Sequence, residues 1–299
     1  ASRNYLSRQT MGLDKDLSSI QESRDLVRTA HEAWKTWSRA SQEQVDRVCA
    51  AMSAAGMQAA ERLGGMAQEE TGFGVALHKK LKNEFAARVV WESIRELKTV
   101  GVIRHDPMRQ LYEIAWPMGV VAALIPSTNP TSTVFFKALI AVKSRNAIVF
   151  SPHPSAARCT YEAAQIMAQA AETAGAPHGL IDCLRQISLQ GTHELMTHKE
   201  TAIILATGGT QMVRAAHSTG KPAYGVGPGN VPVYVDRSAD LEKTARYIVA
   251  SKAFDYSTIC ATEQAVIADL PIAAKLAELM RLEGAYFTAP HETDALRRT

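Results

Sequence analysis

The stretch that decides the fold is Gly119-Val-Val-Ala-Ala-Leu-Ile125, with Pro126-Ser-Thr-Asn-Pro130, Thr131 to Lys143 and Ala147-Ile-Val-Phe150 behind it. Gly119 to Ile125 is an unbroken apolar run. That pattern suits a strand covered on both faces, not one alternating between core and water. Thr131 to Lys143 has the spacing of a helix, and Ala147 to Phe150 is again a short apolar strand. The rhythm continues. An Ala-rich helix spans Ala156 to Ala174 and ends at Gly175. Ile181 to Leu184 reads as a strand, with a short helix near Leu195. Ala202 to Ala206 is a strand and Met212 to His217 a helix; Val231 to Val235 is a strand and Leu241 to Ala253 a helix. Strands alternating with helices through short connections imply right-handed crossovers and a doubly wound, parallel α/β sheet.

Upstream the chain reads as helices and one hairpin. Ser19-Ile-Gln-Glu22 and Ser41-Gln-Glu-Gln44 are capping-box patterns, in which side chains meet orphan N–H groups at a helix start. Leu26, Ala30, Ala33 and Trp37 follow the first at helical spacing. Val45, Val48, Cys49 and Met52 follow the second, with a stop expected at Gly64 and Gly65. A third helix is expected from Leu77 to Leu97, with Lys79-Lys80 on a solvated face. Val100 to Arg104 and Leu111 to Ile114 read as two strands around an Asp106-Pro107 turn.

Composition bounds the function. The 299 residues are 46% hydrophobic and 21% charged, with a formal charge of +3. These are globular values, and so small and scattered an excess predicts neither a nucleic-acid nor a membrane partner. The apolar run from Ile114 to Ile125 is shorter than the ~20 residues of a membrane span, and Pro117 and Gly119 interrupt it. Ala1 to Leu6 has no long apolar segment, so no secretory signal is expected. Cys49, Cys159, Cys183 and Cys260 show no CxxC spacing, which points to free thiols in a reducing, cytoplasmic setting.

In open parallel sheets, ligands bind beyond the carboxyl ends of the strands. Three such ends stand out: Pro126-Ser127-Thr128-Asn129-Pro130, Ser151-Pro152-His153-Pro154 and Thr207-Gly208-Gly209-Thr210. The last opens a helix, whose free N–H groups suit a phosphate; a plain strand-to-helix turn is the bland alternative. Gly225-Val-Gly227-Pro-Gly229-Asn230 reads as a second glycine-rich turn, with a tight structural loop as its alternative. Cys260 lies in a turn of small and hydroxyl residues and is either a nucleophile or a buried small hydrophobe. The other three cysteines read as structural. His193 and His198 are five apart and share no helix face, so no metal site is expected.

Five motifs in order carry a resemblance: Ile125-Pro-Ser-Thr-Asn-Pro-Thr-Ser-Thr133, Arg145-Asn-Ala-Ile-Val-Phe-Ser-Pro-His-Pro154, Ala206-Thr-Gly-Gly-Thr210, Gly225-Val-Gly-Pro-Gly-Asn230 and Phe254-Asp-Tyr-Ser-Thr-Ile-Cys-Ala-Thr-Glu-Gln264. Together they resemble the CoA-acylating branch of the aldehyde dehydrogenase superfamily, from Ser19 onward. The resemblance implies a doubly wound cofactor-binding domain over residues 1–253, a hairpin oligomerisation element near 100–114, and the beginning of an α/β catalytic domain over 254–299. It implies Cys260 as nucleophile and Asn129 as oxyanion donor. It implies a cofactor site built from Pro126, Ser127, Thr128, Ser151, His153, Pro154, Thr207, Gly208, Gly209, Thr210, Gly225 and Gly227. NAD or NADP is the implied cofactor and coenzyme A the co-substrate. Acetaldehyde is the default aldehyde and sulfoacetaldehyde the alternative.

Three departures refine this expectation. Gly225 stands where water-using relatives carry a glutamate that hydrolyses the acyl-enzyme, which fits transfer to CoA. Ser151-Pro152-His153-Pro154 lacks the lysine and glutamate that many relatives place there, which leaves NAD against NADP open. The chain ends at Thr299, well before family members do, so an incomplete catalytic domain is expected. A truncated, inactive homologue that binds nucleotide or assembles with full-length partners is therefore the rival reading, and a water-using aldehyde dehydrogenase, against which Gly225 argues, is the second. A homo-oligomer, dimer or tetramer, is expected if the further C-terminal segment is present. The expected location is the cytoplasm, with a bacterial microcompartment as the alternative.

Overall fold

The computed structural model describes residues 14–298; the Ala1 to Leu6 stretch read for a signal lies outside them. The chain opens with α1 (Lys15–Trp37) and α2 (Gln42–Thr71), then α3 (Ala76–Glu84), which runs through a π-helical turn at Phe85–Val89 into α4 (Val90–Ile94). A two-stranded antiparallel ribbon follows, β1 (Gly101–Asp106) and β2 (Leu111–Ala115). Then come β3 (Val120–Leu124), α5 (Pro130–Lys143), β4 (Ala147–Ser151), α6 (Ala157–Thr173), β5 (Ile181–Cys183), α7 (Leu189–Thr197), β6 (Thr201–Thr207), α8 (Thr210–His217) and β7 (Ala223–Val226). The remainder is β8 (Pro232–Val235), α9 (Leu241–Ala253), β9 (Ala265–Ala268), α10 (Leu270–Leu282) and α11 (Pro290–Leu296).

The main sheet is parallel, in the order β5-β4-β3-β6-β7. Its first strand in sequence, β3, is its middle strand. The chain winds outward through β4 and β5, returns, and winds outward again through β6 and β7. Every residue of β3 and β4 is buried, as an unbroken apolar run requires. One face is covered by α5 and α6 with α2 packed on them, the other by α1 and α7. Asn146 fixes the entry of β3, its Oδ1 accepting from the Met118 and Gly119 N–H groups at 2.7 and 2.9 Å. Where the winding reverses, between β3 and β6, the strand ends separate and leave a crevice. Buried Lys137 of α5 bridges that divide, its Nζ donating to Leu124 O and Leu205 O at 2.8 Å each. Burial pushes its ammonium down to about 7.

Three local expectations are corrected. Ser19 does not start a helix: α1 already begins at Lys15. Ser19 and Glu22 reach instead to the segment after β5, where the Glu22 carboxylate accepts from the Arg185 and Gln186 N–H groups. The Ser41 capping box is formed, but α2 runs past Gly64 and Gly65 to a left-handed Gly72. Gly64 serves packing there; a Cβ on it would lie 2.7 Å from the Lys80 backbone nitrogen on α3. The glycine-rich segment at 225 begins as strand, since Ala223 to Val226 pairs with β6.

A second, smaller core lies beyond the sheet. Val235, Ala245, Ile248 and Leu276 form it, drawing β8 and α9 together with α10. Tyr112 and Ile114 of β2, and Trp116 just after it, are 59%, 60% and 82% exposed. Among the described residues no helix is long and apolar enough to cross a membrane.

Candidate active site

The carboxyl ends of β3, β4, β6 and β7 form one rim. A cleft of about 600 Å³ runs along it, lined by Pro126 to Asn129, His153, Thr207 to Gly209, Val226 to Gly229 and Ser257 to Cys260. A shallower recess continues it past Ser151, Pro152 and Pro154 toward Ile187 and Leu189. Of the residues expected from sequence, Thr210 and Gly225 are absent from these linings. Thr210 is the first residue of α8. A Cβ on Gly225 would lie 2.5 Å from Val213 Cγ1 and 2.9 Å from His217 Nε2, so position 225 faces α8. By strand alternation its neighbour Val226 faces the cleft. Gly209 has open space where a Cβ would be, directly over the start of α8. This turn fits a pyrophosphate, since the backbone N–H groups of the first helical turn are accessible there.

A second pocket, of about 530 Å³, opens on the other side of Cys260 and Asn129. It is nearly all apolar, with Leu81, Phe85, Phe136, Val226, Phe254 and Ile259 among its walls. The π-helical turn supplies Phe85 and Ala86; such extra-residue turns re-aim side chains and recur at functional sites. Cys260 is exposed where the two cavities meet, and no Asp or Glu lines either one. Cys49, Cys159 and Cys183 are buried. Burial pushes the Cys49 and Cys159 thiols up to about 12.

The loop before Cys260 is held in an uncommon conformation. Asp255, Tyr256 and Ser257 have φ of 52°, 51° and 61°. Left-handed backbone costs non-glycine residues ~1–2 kcal/mol each, so the surroundings must hold the loop in place. Asp255 is the anchor, its side chain fully buried. Its carboxylate accepts from Val75 N at 2.7 Å, Thr258 Oγ1 at 2.6 Å, Lys79 Nζ at 3.4 Å and Lys82 Nζ. Its own N–H donates to His78 Nδ1 at 2.8 Å. Burial alone would raise the Asp255 carboxyl, but these bonds outweigh it and hold it below the usual range. Gly229 and Gly74 complete the frame. A Cβ on Gly229 would lie 2.2 Å from Cys260 O, and one on Gly74 2.1 Å from Asp255 Oδ1.

Lys79 was expected on a solvated face, and the structure corrects this. Lys79, Lys82 and Asn83 are the buried residues of α3, while Leu77 and Leu81 are exposed. Lys79 Nζ also donates to Thr128 O at 2.9 Å. Lys82 Nζ donates to Asn129 Oδ1. The Asn129 Nδ2 donates to Thr128 Oγ1 at 3.1 Å and Thr258 O at 3.3 Å. Two lysines of one helix thus connect the loop after β3 to the loop of Cys260. A periodic apolar reading of α3 hides them, because the stripe Leu77, Leu81 and Phe85 looks like the buried face. The available signal was the polar set at i, i+3 and i+4.

The fold as a whole is shared with known proteins. Residues 14–285 match the model of the aldehyde dehydrogenase family. The chain belongs to that family. Over 98% of its length it is 42% identical to Aldehyde-alcohol dehydrogenase 2 of Entamoeba histolytica, covering 33% of that protein. It superimposes on an acetylating aldehyde dehydrogenase from Geobacillus thermoglucosidasius with TM-score 0.90 and 56% identity, covering 93% of this chain and 62% of that one. A propionaldehyde dehydrogenase from Rhodopseudomonas palustris, solved with bound CoA and an acylated cysteine, matches with TM-score 0.80 and 30% identity over 92% of this chain and 62% of that one. The chain therefore spans 33% of the curated relative and 62% of each of these solved relatives.

Proposed function

We propose that this aldehyde dehydrogenase chain carries the cofactor cleft and nucleophile of a CoA-acylating enzyme, which converts a short-chain aldehyde, CoA and NAD(P)+ into acyl-CoA, NAD(P)H and a proton. The observation that carries the reading is the position of exposed Cys260 beside Asn129, between a polar cleft and an apolar pocket whose linings hold no carboxylate.

The Cys260 sulfur adds to the aldehyde carbon, and the carbonyl oxygen becomes an alkoxide. Asn129 Nδ2 and the Cys260 backbone N–H are assigned as its donors, with Nδ2 exchanging its 3.3 Å bond to Thr258 O for the alkoxide. A bound nicotinamide dinucleotide supplies the acceptor for the hydride that leaves this carbon. The carbon–oxygen double bond re-forms as an acyl thioester on Cys260. The CoA thiol then attacks that carbonyl and releases its proton, the bond to Cys260 breaks, and acyl-CoA leaves with the Cys260 thiolate restored. The linings hold no carboxylate to take a proton from attacking water, and His153, the one histidine among them, has its Nδ1 bonded to Ser155.

Pro126 to Thr128, Ser151, His153, Pro154, Thr207 to Gly209 and Gly227 are the residues assigned to the dinucleotide. Neither cleft lining contains Lys or Arg, so a ribose 2′-phosphate would lack a fully charged partner. NAD+ is thus the preferred cofactor, expected to exceed NADP+ in kcat/KM by ~10-fold or more, the size of one missing charge-assisted hydrogen bond. Equal values for the two would remove this assignment. The apolar pocket favours a short uncharged aldehyde over a sulfonated one, because Lys82, its charged wall residue, is already engaged by Asp255 and Asn129. The exposed β1–β2 ribbon is assigned to oligomer contacts, since two strands alone are marginal in water.

Acyl-CoA formation from a panel of aldehydes, with CoA and either nicotinamide cofactor, tests the proposal. Acyl-CoA supports it; free acid formed without CoA, or nucleotide binding without turnover, contradicts it. Gly209→Val probes the cleft. A branched side chain over the helix start should weaken dinucleotide affinity by ~10-fold or more, with the melting temperature nearly unchanged because that space is open. An unchanged binding titration would take this turn out of the site.

A further inference from the structure

We propose that Lys82 is a positioning residue, which fixes the side-chain amide of Asn129 with its NH2 group turned toward the Cys260 loop, and that Asp255 holds Lys82 in place for this task. The inference rests on the reading above, in which Asn129 serves the reacting carbonyl.

The chemistry of the two side chains decides the orientation. An ammonium has three donors and no acceptor, whereas an Asn side chain presents one acceptor and one donor group. Lys82 Nζ can therefore bond only to Asn129 Oδ1, as it does. Nδ2 is then left to face the opposite side, where two acceptors meet it, Thr128 Oγ1 at 3.1 Å and Thr258 O at 3.3 Å. Thr258 lies two residues before Cys260. A flipped amide would oppose Nδ2 to the ammonium and Oδ1 to Thr258 O, losing bonds on both sides.

Lys79 makes this role specific to Lys82. It already ties the same two loops, through Thr128 O and Asp255, without touching the Asn129 side chain. A second buried lysine beside the same carboxylate is costly as mere fastening, since two cations then share one anion. Burial pushes the Lys82 ammonium down to about 8, against the pull of Asp255. At pH 7 it is thus still mainly protonated and offers no lone pair to the amide.

A double-mutant cycle at pH 7 on the full chain separates this role from a structural one. Asn129→Ala should lower kcat by ~10²–10³, as loss of one oxyanion donor does. Lys82→Met should lower kcat by ~10–100-fold and leave the KM for NAD+ within ~2-fold. Added to Asn129→Ala, Lys82→Met should cost less than ~2-fold more, because its effect passes through the amide. Losses that simply multiply would overturn the proposal. If Lys82→Met does not fold, Lys82→Arg carries the test. A guanidinium is also donor-only and should keep kcat within ~10-fold of wild type, whereas a loss equal to that of Asn129→Ala overturns the idea. Wild-type chain that forms no acyl-CoA contradicts the functional reading instead. The amide is then followed directly, by the side-chain NH2 signals that vanish in Asn129→Ala. They should shift in the Lys82 variant, and unmoved signals would refute the positioning role.

Discussion

Cys260→Ser is expected to abolish acyl-CoA formation while NAD+ affinity stays within ~2-fold of wild type. A hydroxyl is a far weaker nucleophile than a thiol unless a base takes its proton. The linings of both cavities hold no carboxylate. His153, the histidine at the cleft, is bonded to Ser155 at 2.8 Å. The remaining cysteines cannot take over, because Cys49, Cys159 and Cys183 are buried. Their serine variants should lower the melting temperature and leave the chemistry. Turnover retained in Cys260→Ser would end the nucleophile assignment.

Gly229→Val should be nearly as severe, though the residue performs no chemistry. Its Cβ would lie 2.2 Å from the Cys260 carbonyl oxygen, and both partners are backbone-bound, so the cysteine loop must move. A displacement of ~1 Å at a reacting group costs ~10²-fold, which sets the expected loss in kcat. Gly229 is exposed, away from both cores, so the melting temperature should change little. Near-normal kcat in a folded Gly229→Val would show that the two loops are not coupled as drawn. Gly225→Glu differs in kind. Its side chain would enter α8 at Val213 and His217, so it should destabilise the protein and not create a water-activating base.

The reading of the fold succeeded where burial on two faces left an unambiguous trace. β3 and β4 are wholly buried and read as unbroken apolar runs, and from them the rim of the site follows. Reading failed where the deciding contact is remote in sequence. Ser19 and Glu22 satisfy a capping pattern locally, yet they face Gln186 and Arg185, far along the chain. Nothing local tells Gly225, packed on α8, from Gly229, packed on Cys260. Lys79 looked solvated because lysine usually is, and Lys82 drew no notice; the burial of both depends on Asp255, more than 170 residues away. Asp255 itself gave no sign, since its function is to hold three left-handed residues, a property of backbone rather than side-chain pattern.

The central claim is that Cys260 carries the acyl group and that CoA, not water, removes it. The mass of the intact protein after incubation with aldehyde and NAD+, with CoA withheld, tests it most directly. A gain of one acyl group is expected, located on the peptide that contains Cys260, and its loss on addition of CoA with an equal amount of acyl-CoA formed. An adduct on another residue, or an adduct that decays to free acid at the same rate with and without CoA, would contradict it.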